Sequence, residues 1–297
     1  MIRQYKNILN KNGLSVNKYT IKGKSTIVNT NKGLFVLKKN MGNDIYNYLI
    51  SRNFENFPKI IDINNDCILY EYLDNIEYDD SQKAIDIMRI IATLHRKTTY
   101  YKEINFDEYK KIYESLKEKI TYINNYYLDI ISNIESKVYM SPSEYLIARN
   151  ISKILSCIYY CNNELENWYS LIKDNKKKRV VTLHNNLKLD NILKNKNIFL
   201  ISWDKCKVDI PIYDLVNFYN RYSLNFDFSV LFDEYEKIFP LLKEEKILMN
   251  ILISIPAKII FTNNEYNQVK QIRSLLDKIY KTERLLTSKK EESADTK

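Results

Sequence analysis

With 297 residues, 45% of them hydrophobic and 28% charged, the chain is long enough to bury a sizeable core and has the make-up of a soluble globular protein. The balance of 46 Lys+Arg against 37 Asp+Glu gives a net charge of +9. The basic residues are scattered, and the single dense run, Lys176-Lys177-Lys178-Arg179, reads as a solvated connector ahead of a strand. With no recognised nucleic-acid motif, neither a specific nucleic acid nor a membrane is expected as a partner.

Four widely spaced cysteines, no paired C-x-x-C and two histidines speak against a zinc site. The start, from Met1 to Lys6, has no long apolar stretch behind it. The most apolar segment, Ile251–Ala257, falls far short of the ~18 residues of a bilayer span. The expectation is a cytoplasmic protein with reduced thiols. The 4 glycines are few for a chain that would cradle phosphate in a glycine-rich loop.

Along the chain, Tyr19–Lys22, Ser25–Asn29 and Leu34–Lys38 read as strands, parted by Gly23 and by Asn31-Lys32-Gly33. A short helix over Asp44–Arg52 follows, then strands Pro58–Ile63 and Cys67–Tyr70 around an Asn64-Asn65-Asp66 turn. From Ser81, taken as an N-cap, the residues Ala84, Ile87, Met88, Ile91, Leu94 and His95 share one helical face. A long helix is expected over Phe106–Lys137. Ser141-Pro142-Ser143-Glu144 is a capping box with proline at the first helical position, and it opens a helix running toward Ile172. Strands Val180–Leu183 and Ile198–Trp203 flank a polar segment, His184–Asn197. Tyr213–Leu286 reads as helix, and the charged tail Ser288–Lys297 as disordered. The order predicts an α+β, bilobal architecture: a β-rich lobe over 1–73, a helical lobe over 74–287, and a ligand groove between the two.

The segment Val181-Thr182-Leu183-His184-Asn185-Asn186-Leu187-Lys188-Leu189-Asp190-Asn191-Ile192-Leu193 resembles the catalytic loop L-H-G-D-x-x-x-x-N-I-L of aminoglycoside phosphotransferases and choline kinases. Leu200-Ile201-Ser202-Trp203-Asp204 resembles the family's I-D-W-[DE], and Pro211-Ile212-Tyr213-Asp214-Leu215 its P-x-x-D-L. Lys38, in Phe35-Val36-Leu37-Lys38, matches the strand lysine of V-A-I-K, and Ile90–His95 resembles the L-x-x-L-H helix. The resemblance spans nearly the whole chain, and its general pattern is most similar to the CotS-like, spore-coat-associated branch of the family. It implies a protein-kinase-like fold with ATP and Mg²⁺ as ligands. Nucleotide contacts are implied at Lys38, Asp44, Glu71 and Tyr72, and metal contacts at Asn191 and Asp204.

Phosphoryl transfer asks for a carboxylate to accept the hydroxyl proton and for oxygen ligands to hold the metal against the phosphates. At the family's base position stands Asn186, and at its metal-binding aspartate stands Ser202. An amide does not accept that proton near neutral pH, and a serine hydroxyl is a neutral ligand in place of a carboxylate. His184 and Asp214 are expected to brace the loop, and His95 to pack in the core. The 25 tyrosines follow helical faces and are read as packing residues.

The reading that follows is a catalytically impaired kinase-fold protein acting by binding a nucleotide, a small molecule or a protein, with spore-coat proteins and spore association implied by the resemblance. The alternative is a working ATP- and Mg²⁺-dependent phosphotransferase that uses Asp190 or Asp204 in altered geometry.

Overall fold

The computed structural model describes residues 5–40, 45–104 and 106–294. The chain divides into two compact units, the first made of Met1–Thr98 and Thr182–Val208, the second of Thr99–Val181 and Asp209–Lys297.

The first unit opens with a short helix, α1 (Lys6–Lys11), where strands alone were expected. Its Ile8 and Leu9 are buried against Val28, Leu37, Cys67 and Leu69 of the sheet, so packing supports a sequence too polar to signal a helix by itself. Strands β1 (Val16–Lys22), β2 (Ser25–Thr30), β3 (Gly33–Lys39), β4 (Ile60–Ile63) and β5 (Cys67–Glu71) form an antiparallel sheet in the order β1-β2-β3-β5-β4. Lys22 pairs with Ser25, which leaves a two-residue turn of Gly23 and Lys24. Gly23 takes φ +57°, the left-handed value that a tight hairpin asks of its first turn residue. Helix α2 (Ile45–Ser51) leads from β3 toward β4. The expected helix start at Asp44 lies outside the described residues.

Helix α3 (Asp80–Thr98) begins one residue before the expected cap. Asp79 is the true N-cap: its carboxylate accepts from the amides of Ser81 at 2.8 Å and Gln82 at 3.2 Å. Those bonds hold the Asp79 carboxyl below the usual carboxylate range. His95 is fully buried on this helix.

Strand β6 (Tyr100–Glu103) pairs antiparallel with β7 (Lys177–Leu183), with Tyr100 opposite Val180. Between them run the hairpin helices α4 (Phe106–Glu135) and α5 (Pro142–Ile172). The capping box is present: the Ser141 hydroxyl accepts from the Glu144 amide at 3.3 Å, and the Glu144 carboxylate accepts from the Ser141 amide at 2.9 Å. The basic run is not a solvated connector. Lys177, Lys178 and Arg179 belong to β7, with Lys178 paired to Glu108 at 3.5 Å and Arg179 to Glu245.

The strand expected over Ile198–Trp203 ends at Leu200, and its partner lies inside the segment read as polar. The two strands β8 (Ile192–Lys194) and β9 (Ile198–Leu200) form a small hairpin. A short strand β10 (Lys207–Asp209) precedes helices α6 (Ile212–Tyr222), α7 (Phe228–Glu236), α8 (Lys243–Ser254) and α9 (Glu265–Ala294). The last continues past Ser288, where the tail was expected to begin. No described helix is long and apolar enough to cross a membrane.

Arg179 and Glu245 form a deeply placed ion pair of the second unit, with side-chain exposures of 10% and 5%. Arg179 Nε donates to Glu245 Oε1 at 2.9 Å, Glu245 also accepts from the Leu242 amide at 3.0 Å, and the guanidinium lies over the Phe239 ring. Removing one partner strands a buried charge. Glu245→Ala is therefore expected to cost about 3–5 kcal/mol in urea denaturation, whereas Lys117→Ala, at the exposed Lys117–Glu166 pair, costs less than about 1 kcal/mol.

Candidate functional site

The site lies wholly within the first unit, where β3, the β1–β2 turn and the segment 184–204 meet. Register places Lys38 opposite Ile68 of β5 and Ser25 of β2. Its ammonium donates to the Ser202 hydroxyl at 3.2 Å. From the hairpin turn, Lys24 donates to Asp204 Oδ2 at 3.1 Å. Lys38, Tyr46, Ile68, Tyr70, Trp203 and Asp204 are among the residues lining a cavity of about 40 Å³. That is far below the roughly 300 Å³ at which ligand pockets begin.

Backbone geometry explains how Ser202 and Asp204 reach the same place. Sequence spacing puts them on one face of a strand, but Ser202 takes the left-handed conformation, with φ +68°, and Trp203–Lys205 forms a 3-10 turn. The chain thus turns sharply after β9 and carries both side chains to Lys38. A left-handed serine is uncommon and costs energy, so the surroundings must hold it there. Trp203 provides that hold. It is buried, its indole N–H donates to the Leu200 carbonyl at 2.9 Å, and its ring meets Phe54, Phe57 and His184 edge-on at 5.8, 6.4 and 4.7 Å between centroids.

The loop from His184 is knitted to the same turn. His184 Nε2 lies 3.0 Å from the Ile201 carbonyl, which accepts. Asn185, standing where the resembling motif has glycine, takes φ +55° and donates to the Lys205 carbonyl at 3.1 Å. Asparagine tolerates that backbone better than other side chains. Asn186 Nδ2 donates to the Ser202 carbonyl at 3.3 Å, and Asn191 Nδ2 donates to the Asn186 carbonyl at 2.8 Å.

Of the residues expected at the site, the structure therefore gathers Lys38, Asn186, Asn191, Ser202 and Asp204, with His184 bracing them. Glu71 and Tyr72 stand at and beyond the end of β5, where Glu71 Oε1 accepts from the Lys59 amide at 3.1 Å. Asp190 is exposed on the 3-10 turn Leu189–Asn191. Asp214 is fully buried on α6 in the second unit. Asp44 is not among the described residues. Two groups escaped the sequence reading. One is Lys24, whose only signal was its place after the lone glycine of the first hairpin. The other is the pair Tyr46 and Tyr70, buried, with hydroxyls 2.6 Å apart. Burial raises both phenols: Tyr70 goes to about 12 although its hydrogen bond with Tyr46 works the other way, and Tyr46, which Tyr70 raises as well, goes further. They stay neutral hydroxyls at any ordinary pH.

Electrostatics separate the two ligands that the resemblance implies. Burial pulls the Lys38 pKa below its ordinary value; Asp204 opposes this and Lys24 adds to it. Burial pushes the Asp204 carboxyl up, but the hydrogen bond from Lys24, the backbone and the fields of both lysines outweigh it, so the carboxyl is held below its usual range. Among the described residues, the ammonium groups of Lys38 and Lys24 thus face the one carboxylate of Asp204. This local excess of positive charge suits a phosphate oxygen. It does not suit Mg²⁺, which wants carboxylate or phosphate oxygens in an octahedral set. Ser202 is neutral and accepts a hydrogen bond from Lys38, and Asp204 is shared with Lys24. Among the described residues no three His, Cys, Asp or Glu side chains converge where they would hold a metal.

Because the folded Lys38 pKa lies below the unfolded one, the unfolded chain binds more protons between the two values. The cost of burying this charge is full below the folded pKa and is relieved as pH rises through that window. Asp204→Asn is expected to lower the Lys38 pKa further and Lys24→Ala to raise it, read by ¹³C NMR titration of methylated lysines. Shifts in the same direction for both variants would contradict the charge arrangement.

Among solved structures, the chain superposes on an aminoglycoside phosphotransferase from Alicyclobacillus acidocaldarius with a TM-score of 0.65 and 10% identity, over 93% of this chain and 92% of that one. It superposes on a spectinomycin phosphotransferase in an AMP-bound complex with a TM-score of 0.51 and 11% identity, over 94% and 97%. For a choline kinase from Streptococcus pneumoniae the values are 0.48 and 17%, over 96% and 99%. No protein-family model matches the sequence, and no curated protein matches it. At such identities the likeness is one of fold. The chain has the α+β, kinase-like fold of these phosphotransferases, with an N-terminal antiparallel sheet of five strands followed by a mainly helical part.

Proposed function

We propose that this chain is a kinase-fold protein impaired in phosphoryl transfer, which binds the phosphates of a nucleotide, ATP foremost, without needing Mg²⁺. The observation that carries the reading is the contact of Lys38 with the neutral hydroxyl of Ser202 beside the Lys24–Asp204 bridge. Two cations and one carboxylate attract phosphate and repel a divalent metal. Asn186, at the position of the base, offers an amide that accepts no proton from a substrate hydroxyl. In this reading Lys38 and Lys24 meet the phosphates and Glu71 and Tyr72 contact the nucleoside, while the motif pattern implies Asp44 as the acidic partner of Lys38. The small cavity means that a whole nucleotide must first displace side chains, beginning with the Lys24–Asp204 bridge. The CotS-like, spore-coat-associated placement rests on the sequence pattern.

A second reading, a working phosphotransferase, has one observation in its favour. The Asp204 carboxylate lines the same cavity as Lys38, so Asp204 with Asn191 forms the metal side in that case.

Thermal melting with ATP separates the two. The impaired reading expects a saturable rise in Tm that persists in EDTA, no ATP turnover across hydroxylated compounds, and an affinity at least about tenfold weaker in Lys38→Ala. Turnover that requires Mg²⁺ and is lost in Asp204→Ala overturns it in favour of the second reading. The absence of any nucleotide-dependent shift overturns both.

A further inference from the structure

Residues 72–79, between β5 and α3, form a connector with no regular secondary structure, and residues 74–77 are exposed. A segment with so little burial opens easily unless other contacts hold it. Lys194, the last residue of β8, supplies contacts through both its backbone and its side chain. Its amide donates to Asn75 Oδ1 at 2.9 Å, and its carbonyl accepts from the Ile76 amide at 2.8 Å. Its ammonium lies 3.7 Å from Asp86 Oδ2 on α3 and 4.3 Å from the centre of the Tyr78 ring.

Asp86 makes this grip more than a surface contact. It is buried, and its Oδ1 accepts from Gln82 Nε2 at 2.9 Å, which leaves Lys194 as the cation paired with its other oxygen. A buried carboxylate holds its ionic partner firmly, because losing that partner strands the charge. Burial, and after it the Asp86 carboxylate alongside, push the Tyr78 phenol above its ordinary value. Two further bonds brace the connector: Asn75 Nδ2 donates to Glu77 Oε1 at 2.9 Å, and Lys83 of α3 donates to Glu77 Oε2 at 3.2 Å. β8 starts directly after Asn191, so Lys194 latches the connector to the loop in which Asn191 holds the Asn186 carbonyl.

We infer that Lys194 is a positioning residue for the nucleoside end of the site: by latching the connector to β8 and to Asp86 it keeps Glu71 and Tyr72 preformed, so that the chain takes a nucleoside triphosphate in preference to a bare polyphosphate. The inference rests on the reading that Glu71 and Tyr72 contact the nucleoside while Lys38 and Lys24 meet the phosphates. Binding to a segment already in place avoids the cost of ordering it. With the latch broken, a nucleotide must order the connector as it binds, whereas a polyphosphate, which meets only the lysines, is indifferent to it.

The split between the two ligands is the test. The full-length chain is titrated calorimetrically with ATP and with inorganic tripolyphosphate, both in EDTA, and hydrogen exchange over residues 72–79 is followed by mass spectrometry. Lys194→Met should weaken ATP about tenfold, leave tripolyphosphate within about twofold, and speed exchange over 72–79 while the sheet peptides keep their protection. Lys194→Arg, which keeps the charge, should restore most of the ATP affinity. Asp86→Asn leaves no buried charge behind, so it keeps the fold where Lys194→Met fails to, and it should show the same split at about three- to fivefold. The Met and Asn variants change the net charge in opposite directions, so a weakening of ATP common to both does not come from long-range attraction. Equal losses for both ligands, unchanged ATP affinity, or unchanged exchange over 72–79 overturns the inference while the nucleotide reading stands. A wild-type chain that binds tripolyphosphate as tightly as ATP overturns it too, and one that binds neither overturns the nucleotide reading together with it.

Discussion

A lysine half-buried at the end of a central strand must find a counter-charge or give up its proton, and the first unit is organised around that demand. Lys38 lies on β3 between β2 and β5, where burial disfavours its charged form. A carboxylate in direct contact would compensate most fully. Among the described residues the direct partner is a hydroxyl, and the only negative charge lining the cavity is Asp204, itself drawn to Lys24. Lys38 is therefore under-compensated, which is a cost to the folded chain and an opening for an anionic ligand. The same lysine that weakens the protein by itself is the group most strengthened by a phosphate.

What keeps this arrangement in place is aromatic and not ionic. Trp203 sits between Phe54, Phe57 and His184, and Phe57 in turn meets Tyr46 edge-on at 5.2 Å, with Tyr70 6.0 Å from Tyr46. This contiguous cluster ties α2, β5 and the turn after β9 together. Edge-to-face pairs of this kind contribute of order 0.5–1.5 kcal/mol each beyond burial, enough to hold the left-handed Ser202 that brings two side chains to Lys38. The buried Tyr46–Tyr70 hydroxyl pair satisfies its own polar atoms, so no charge is needed on the α2 side of the cavity.

Much of this was legible in the sequence, for identifiable reasons. Local signals carried the capping box at Ser141, the hairpin at Gly23 and the five strands of the sheet, because turn and cap chemistry is written within a few residues. The sequence motifs likewise brought Lys38, Asn186, Asn191, Ser202 and Asp204 into one hypothesis, and the structure places them together. Features that depend on distant partners were not legible. Helix α1 exists because Ile8 and Leu9 meet the sheet. The run Lys177–Arg179 is a strand because Tyr100–Glu103 pairs with it and because Glu108 and Glu245 meet its charges. Asp79 displaced Ser81 as a cap because a carboxylate reached both amides. Alternation put Ser202 and Asp204 on one strand face and so reached a correct neighbourhood by a wrong path, since a left-handed residue is invisible to a period-two pattern.

The chemistry of the site then turns on which ion the residual charge prefers. A transfer centre works by concentrating carboxylates around a metal, and the metal in turn neutralises phosphate. Replacing both carboxylate positions with neutral groups removes the reason for the metal but leaves the lysines. Those lysines then repel a cation and attract phosphate directly. Asp204 does not restore the balance, because restoring it requires breaking its bond to Lys24, and doing so would leave that lysine beside the incoming metal. Under the proposed reading, Asn186 and Ser202 at the two carboxylate positions make this a phosphate site that needs no metal, with binding kept and no proton acceptor.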